Sequence, residues 1–355
     1  MYDPTDELIK EMEKKIAKEY RTAIKEMNAK LYDYARRFRI KDEIKSKAVA
    51  AGILKPDDYA KWRAAQIEEM ARQHGLIEEY AKVLHNTNEV ARSTAQGYQA
   101  EAYAANVNYA TYLIEKDLEI DTSFTLWDRQ TVERLMREEP KLLPDPRPDS
   151  ETALKIAANK DLKWNVQHLS SALTQSILQG DSVPQIAKRL ESVAEMDHKA
   201  AIRNARTMVT GAQNAGRDLA YHRAGKMGIK LTRVWLATLD GRTRHEHRIL
   251  DGKRAKVGEP FKVGDYEIMY PGDPEADPEM VYNCRCTTIA DIEGFEFDVV
   301  SERDMDPNLG GMTYDQWKAD KKAKSRPIDY QEKLGEAMKW NTIKEYKKLV
   351  EEING

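Results

Sequence analysis

Between Leu8 and Phe38 an apolar side chain returns every three or four residues: Leu8, Met12, Ile16, Tyr20, Ile24, Met27, Leu31, Tyr34 and Phe38. Such positions share a face only in an α-helix, with its 3.6 residues per turn. The stripe runs close to a heptad repeat, and lysine and glutamate crowd the other faces. It predicts one long solvated helix, punctuated by Gly52 and Pro56, that packs in an antiparallel bundle. A self-associating coiled coil is the sharper alternative. A second helix is predicted from Pro56, carrying Tyr59, Trp62, Ile67 and Met70. A third is predicted from about Leu76 through Tyr98, Tyr103, Tyr109 and Tyr112, where small residues between the aromatics suit close helix packing. A charged share of 33% fits such exposed helices.

Residues 140–149 hold four prolines in ten positions and cannot be helical throughout, so 140–150 reads as a linker. Beyond it, Leu162–Leu178 is again helical in period and ends near Gly180. Ser182-Val183-Pro184-Gln185 matches a capping box for a helix to about Val193, and Asp197 is expected to cap a separate helix from His198 to Ala224. The period then changes. Lys230–Thr238 reads as a strand and Asp240-Gly241 as a turn. Phe261–Val263 and Tyr266–Met269 read as a hairpin around Gly264-Asp265, and Cys286–Ile292 as a last strand. The class is therefore α+β. A helical region (1–139) precedes the linker, a domain of helices and a small antiparallel sheet spans 151–295, and a lysine-rich tail with a helix from Leu334 to Val350 spans 296–355.

The net charge of −3 gives no global field for nucleic acid or membrane, so any such surface must be local. From His198 to Ala255 there are 13 lysines and arginines against 4 acidic residues, a net of +9. From Lys256 to Val300 there are 3 against 11, a net of −8. The two segments either complement each other or present a basic face to DNA, through Arg203, Arg206 and Arg217, and an acidic face to a basic partner. No apolar run approaches the roughly 18 residues of a membrane span, and the N-terminus lacks the apolar core of a secretory signal. The chain is thus expected to be made in a cytoplasm or in a particle assembled there, with no membrane partner. Phosphate-cradling glycine loops and serine-nucleophile elbows are absent from the sequence.

From Trp235 the chain reads Trp-Leu-Ala-Thr-Leu-Asp-Gly-Arg-Thr-Arg-His-Glu-His-Arg-Ile-Leu-Asp-Gly; Tyr270-Pro-Gly-Asp-Pro and Asn283-Cys-Arg-Cys follow. This succession resembles the Mu F-like (SPP1 gp7-like) phage head morphogenesis family. The matching positions are Trp235, Ala237, Thr238, Asp240, Arg242, Thr243, His247, Leu250, Asp251, Gly252 and Asn283–Cys286. Gln179-Gly180, Ile186-Ala187 and Ala205-Arg206-Thr207 also fall on family positions, while Met208 departs from the acidic residue common there. The resemblance covers about residues 150–295.

The resemblance implies a minor head (minor capsid) protein of a tailed bacteriophage. Such a protein would sit inside the virion head near the portal, with portal protein and procapsid components as partners, and act in assembly or in packaging or ejection of double-stranded DNA. It implies no enzymatic activity, catalytic residue, small-molecule substrate or organic cofactor. The alternatives are a phage-associated enzyme (a nuclease, or an ADP-ribosyltransferase acting through His247, Asp240 and Arg242) and a DNA-binding module.

The two cysteines form a Cys-x-Cys pair, a spacing that would strain a disulfide. With His245 and His247 they offer four donors for one structural zinc, if both pairs lie in extended backbone where residues two apart share a face. His247 falls on a family position and His245 does not. The other reading is two buried thiols beside a hydrogen-bonded histidine, with no cofactor. Asp240, Arg242, Arg244 and Arg285 read either as a buried Asp–Arg pair fixing the turn or as a phosphate- or partner-binding network.

Overall fold

The computed structural model describes residues 4–62, 65, 74–138, 151–179, 183–295 and 307–324. The linker at 140–150, Ile67, Met70, the Ser182 cap and the helix expected at 334–350 lie outside the described residues. The class is α+β, as the two sequence periods indicate. Among the described residues no helix is long and apolar enough to cross a membrane.

In chain order the helices are α1 (Pro4–Ala50), α2 (His74–Leu118), α3 (Arg129–Glu138), α4 (Glu151–Gln179) and α5 (Val183–Lys226), with a further helical stretch at 56–62. Strand β1 (Ile229–Leu236), the short helix α6 (His245–Leu250), β2 (Arg254–Lys256), the hairpin β3 (Phe261–Val263) and β4 (Tyr266–Ile268), helix α7 (Pro278–Val281) and β5 (Thr287–Phe295) follow. A 3₁₀ turn (Pro307–Gly311) and α8 (Tyr314–Lys324) come last.

The chain divides into two compact units, and α1, α2 and α5 each contribute residues to both. The helical unit comprises 13–94 and 147–202. In it the predicted stripe of α1 is buried at Ile16, Tyr20, Met27 and Leu31, while Ile40 and Ile44 are exposed. Lys30 pairs with Glu79, the Tyr80 hydroxyl bonds the Met27 carbonyl, and the Tyr20 hydroxyl bonds Asn88. Falling numbers on α1 against rising numbers on α2 make the two antiparallel here. Leu84 of α2, Leu169 and Leu173 of α4, and Ile186 and Leu190 of α5 complete this core. Each such side chain contributes roughly 2–3 kcal/mol by leaving water.

One expectation is overturned in this unit. Asp197 caps no helix: α5 runs unbroken from Val183 to Lys226. The carboxylate is buried, and Asn88 donates to it from α2 at 3.3 Å. A tertiary partner satisfies the side chain that would otherwise compete for its own backbone, so the helix continues.

The second unit comprises 1–12, 95–146 and 203–355. Its antiparallel sheet has the order β2-β1-β5, and β3-β4 is a separate hairpin. Thr232–Val234 pair with Lys256–Arg254, and Leu231–Leu236 pair with Ile292–Thr287. Strand β1 alternates cleanly, turning Ile229, Leu231, Arg233 and Trp235 inward. Ile229 and Leu231 pack on Ala220, Tyr221 and Ala224 of α5 and on Ala110 and Ile114 of α2. The hairpin turns at Gly264-Asp265, as its sequence predicts. The Tyr270–Pro274 loop lies directly on α5: Gly272 has φ +83, and a Cβ there would sit 2.8 Å from the Gly211 Cα. Only glycine meets both demands.

Candidate functional site

The site grows from the end of β1. The loop leaving Trp235 is closed at its base, because the Gly252 N–H donates to the Trp235 carbonyl (2.8 Å) and the Trp235 N–H to the Lys253 carbonyl (2.9 Å). Asp251 accepts from the Ala237 N–H at 2.8 Å. Within the loop Asp240 accepts from the Arg242 N–H at 2.8 Å, forming an Asx turn. Its two oxygens also take a bidentate pair of bonds from the Arg285 guanidinium, at 2.6 and 2.7 Å. These bonds to Arg285 and the turn hold the Asp240 carboxyl well below its ordinary range.

The Asp240 turn is thereby bolted to the Asn283–Cys286 segment, with two further ties. The Thr238 hydroxyl donates to the Arg285 carbonyl at 2.7 Å, and Arg244 donates to the Tyr282 carbonyl. The segment is also held from α5. The Thr207 hydroxyl accepts from the Asn283 N–H at 3.0 Å, and Asn214 donates to the Cys286 carbonyl at 3.2 Å. Asn283 itself is left-handed, with φ +60. Arg285 thus joins Asp240, as one sequence reading had it, but the pair is partly exposed rather than buried. The Arg242 side chain is 74% exposed and lies 3.6 Å from Asp240.

Residues 245–250 are helical, not extended, and this corrects the geometry expected of the histidines. Positions two apart point in different directions on a helix. His247 faces inward and is 1% exposed, whereas His245 faces solvent. Cys284 and Cys286, 2% and 3% exposed, complete a group with His247 whose three donor atoms lie within 4.8 Å of one another; His245 is not part of it. The His247 Nδ1 stands 3.6 Å from the Cys284 sulfur and 3.5 Å from the Cys286 sulfur. The ring is set edge-to-face on Trp235, with centroids 5.3 Å apart. Leu250, Phe261, Met280 and Trp235 enclose the group. The Cys284 thiol donates towards Cys286, pulling the Cys286 thiol below its ordinary value, and His247 adds to this. The same bond and burial push Cys284 up. The donors suit either a soft metal ion or a shared proton.

A neighbouring cleft is lined by Arg244, Glu246, Tyr266, Glu279 and Tyr282, and none of the three donor residues lines it. A nucleophile in the triad would therefore not face a substrate held there.

The proposed DNA-facing arginines divide. Arg203 is exposed and Arg206 half-buried on α5. Arg217 is 2% exposed; it donates to Asn106 at 2.9 Å and to the Thr288 carbonyl at 3.2 Å. It braces the interior and cannot face DNA. Arg233 escaped the sequence reading altogether. Fully buried at an inward position of β1, it pairs with Asp218 of α5 at 2.7 Å and donates to the Met269 and Lys256 carbonyls at 2.7 and 3.0 Å. A cation at an inward step of an apolar alternation is the signal that could have found it. Part of the charge asymmetry is also internal, since Arg254 meets Asp291 at 2.7 Å across the sheet.

Residues 167–289 match the family described as Phage Mu protein F like protein. The chain is 25% identical over 256 residues to the NAD(+)--arginine ADP-ribosyltransferase EFV of Enterococcus faecalis, covering 71% of this chain and 50% of that protein. It is 24% identical over 326 residues to the Minor head protein GP7 of Bacillus phage SPP1, covering 90% of this chain and 95% of that one. The chain thus spans about half the length of the Enterococcus relative and nearly all of the phage one. No solved structure matches it.

Proposed function

We propose, from the match of residues 167–289 to the family described as Phage Mu protein F like protein, that this chain is a minor head protein of a tailed bacteriophage. The observation that carries the reading is the end-to-end likeness to the minor head protein of phage SPP1, over 90% of this chain and 95% of that one. At that coverage the likeness extends well beyond the family segment on this chain.

In this reading the protein sits inside the head near the portal, contacts portal and procapsid components, and assists DNA packaging or ejection. Its site works as a scaffold. The Asp240–Arg285 bolt and the buried His247–Cys284–Cys286 group lock a loop onto a sheet. Contact with packaged DNA through α5 would fall to Arg203 and Arg206, and would weaken with salt.

The test is co-expression with the portal and major capsid proteins of the same phage, followed by sedimentation. The protein should travel with procapsids, and its absence from the particles would sink the proposal. The Enterococcus relative favours a second reading as an arginine-directed ADP-ribosyltransferase. Incubating the purified chain with labelled NAD and an arginine-bearing acceptor separates the two. Label transfer that His247→Ala abolishes while the fold survives would establish the enzyme instead.

A further inference from the structure

We propose that His247, Cys284 and Cys286 form a structural zinc site that fastens α6 to the approach to β5.

Distance carries the first part of the case. A tetrahedral zinc takes sulfur at about 2.3 Å and imidazole nitrogen at about 2.0–2.1 Å, which sets a nitrogen and a sulfur on one ion about 3.5 Å apart. The His247 Nδ1 stands 3.5 and 3.6 Å from the two sulfurs. A shared ion needs this spacing, and both sulfurs satisfy it at once.

Hydrogen bonding explains the arrangement less well. With the Cys284 thiol donating towards Cys286, Nδ1 can bond one sulfur, and its 3.6 Å contact with the Cys284 sulfur is left without a proton of its own. A cation between the three atoms serves all of them. Hardness selects the metal, because two thiolates and an imidazole favour zinc over magnesium or calcium.

The donors are also held in place from outside. The Asp240–Arg285 pair, the Thr238–Arg285 bond and the Asn214 bond to the Cys286 carbonyl fix the cysteine segment. The closed base of the loop and its short helix fix His247. Among the described residues no further histidine, cysteine or carboxylate joins the group, so these residues supply three of the four ligands of a tetrahedral zinc. Burial of all three donors makes the ion a fastener rather than a reaction centre.

The full chain, expressed with zinc in the medium, is expected to carry about one zinc per molecule by elemental analysis. Cobalt(II) in place of zinc should give strong visible bands of a four-coordinate ion and a sulfur-to-cobalt charge-transfer band. Cys284→Ser and Cys286→Ser should lose the metal and the charge-transfer band, while His245→Ala keeps both. Less than about a tenth of an equivalent of zinc, with no charge-transfer band on adding cobalt, overturns the proposal. So does full zinc retention in the double cysteine variant. If the cysteine variants do not fold, the cobalt spectrum of the unaltered chain decides by itself.

Discussion

Replacing Asp197 by asparagine should stabilise the protein at neutral pH, although it removes a hydrogen-bonded charge. The carboxyl is 7% exposed in the helical unit. Among the described residues Asn88 donates to it from α2, Asp161, Asn165 and His168 approach from α4, and the Tyr20 hydroxyl of α1 feels its charge. Asn88 also donates to Asp161 at 3.1 Å, and His85 lies 2.7 Å from the same carboxylate. Two acids therefore share one amide. Burial outweighs the donors and pushes Asp197 up from 3.8 to about 6, and the Asp161 charge adds to this.

A folded value above the unfolded one means that the neutral form belongs to the folded state. The contribution to stability is complete below the unfolded value and is lost as pH rises through about 6. Two pH units correspond to about 3 kcal/mol, an order-of-magnitude figure for a buried carboxyl. Asp197→Asn should then raise the unfolding free energy by up to about 3 kcal/mol at pH 7, and the gain should close towards zero near pH 4. Urea unfolding of both proteins, followed by far-ultraviolet circular dichroism across that range, measures the difference, from which most other titrating groups cancel. A difference that does not vary with pH, or a variant less stable at pH 7, would refute the reasoning.

Two further outcomes follow from packing. Alanine in place of Gly216 would gain about 1 kcal/mol of helix propensity on an open face. Here its Cβ would lie 2.5 Å from the Tyr103 carbonyl oxygen and 3.2 Å from the Val107 nitrogen, so a net loss of about 1–3 kcal/mol is expected, read from the urea midpoint. Lys321→Met should cost about 3–5 kcal/mol, because it removes the cation that the fully buried Glu115 meets at 2.9 Å and leaves its charge to neutral donors alone. Thermal melting checks this, and an unchanged midpoint would show that Trp317 and Thr122, which donate to the same carboxylate at 2.6 and 2.9 Å, suffice.

Local chemistry accounts for what the sequence alone determined. The three- and four-residue spacing on α1, the alternation on β1 and the Gly264-Asp265 turn each encode their element within a few residues, and the structure returns all three. The grouping of His247 with Cys284 and Cys286 was legible for a related reason, since few side chains bear such donors.

What only the tertiary structure decided turns on partners far away in the chain. Asp197 reads locally as a cap, and Asn88, 109 residues away, makes it a helix interior. His245 and His247 read as one face, and the six-residue helix parts them. Arg217 reads as a surface cation and is buried by its bonds to Asn106 and Thr288, 111 and 71 residues distant. Burying a charge is costly unless its partners are already in place. Local sequence specifies whether a side chain can ionise or coordinate, and the distant partners that the fold delivers decide whether it faces water or the core.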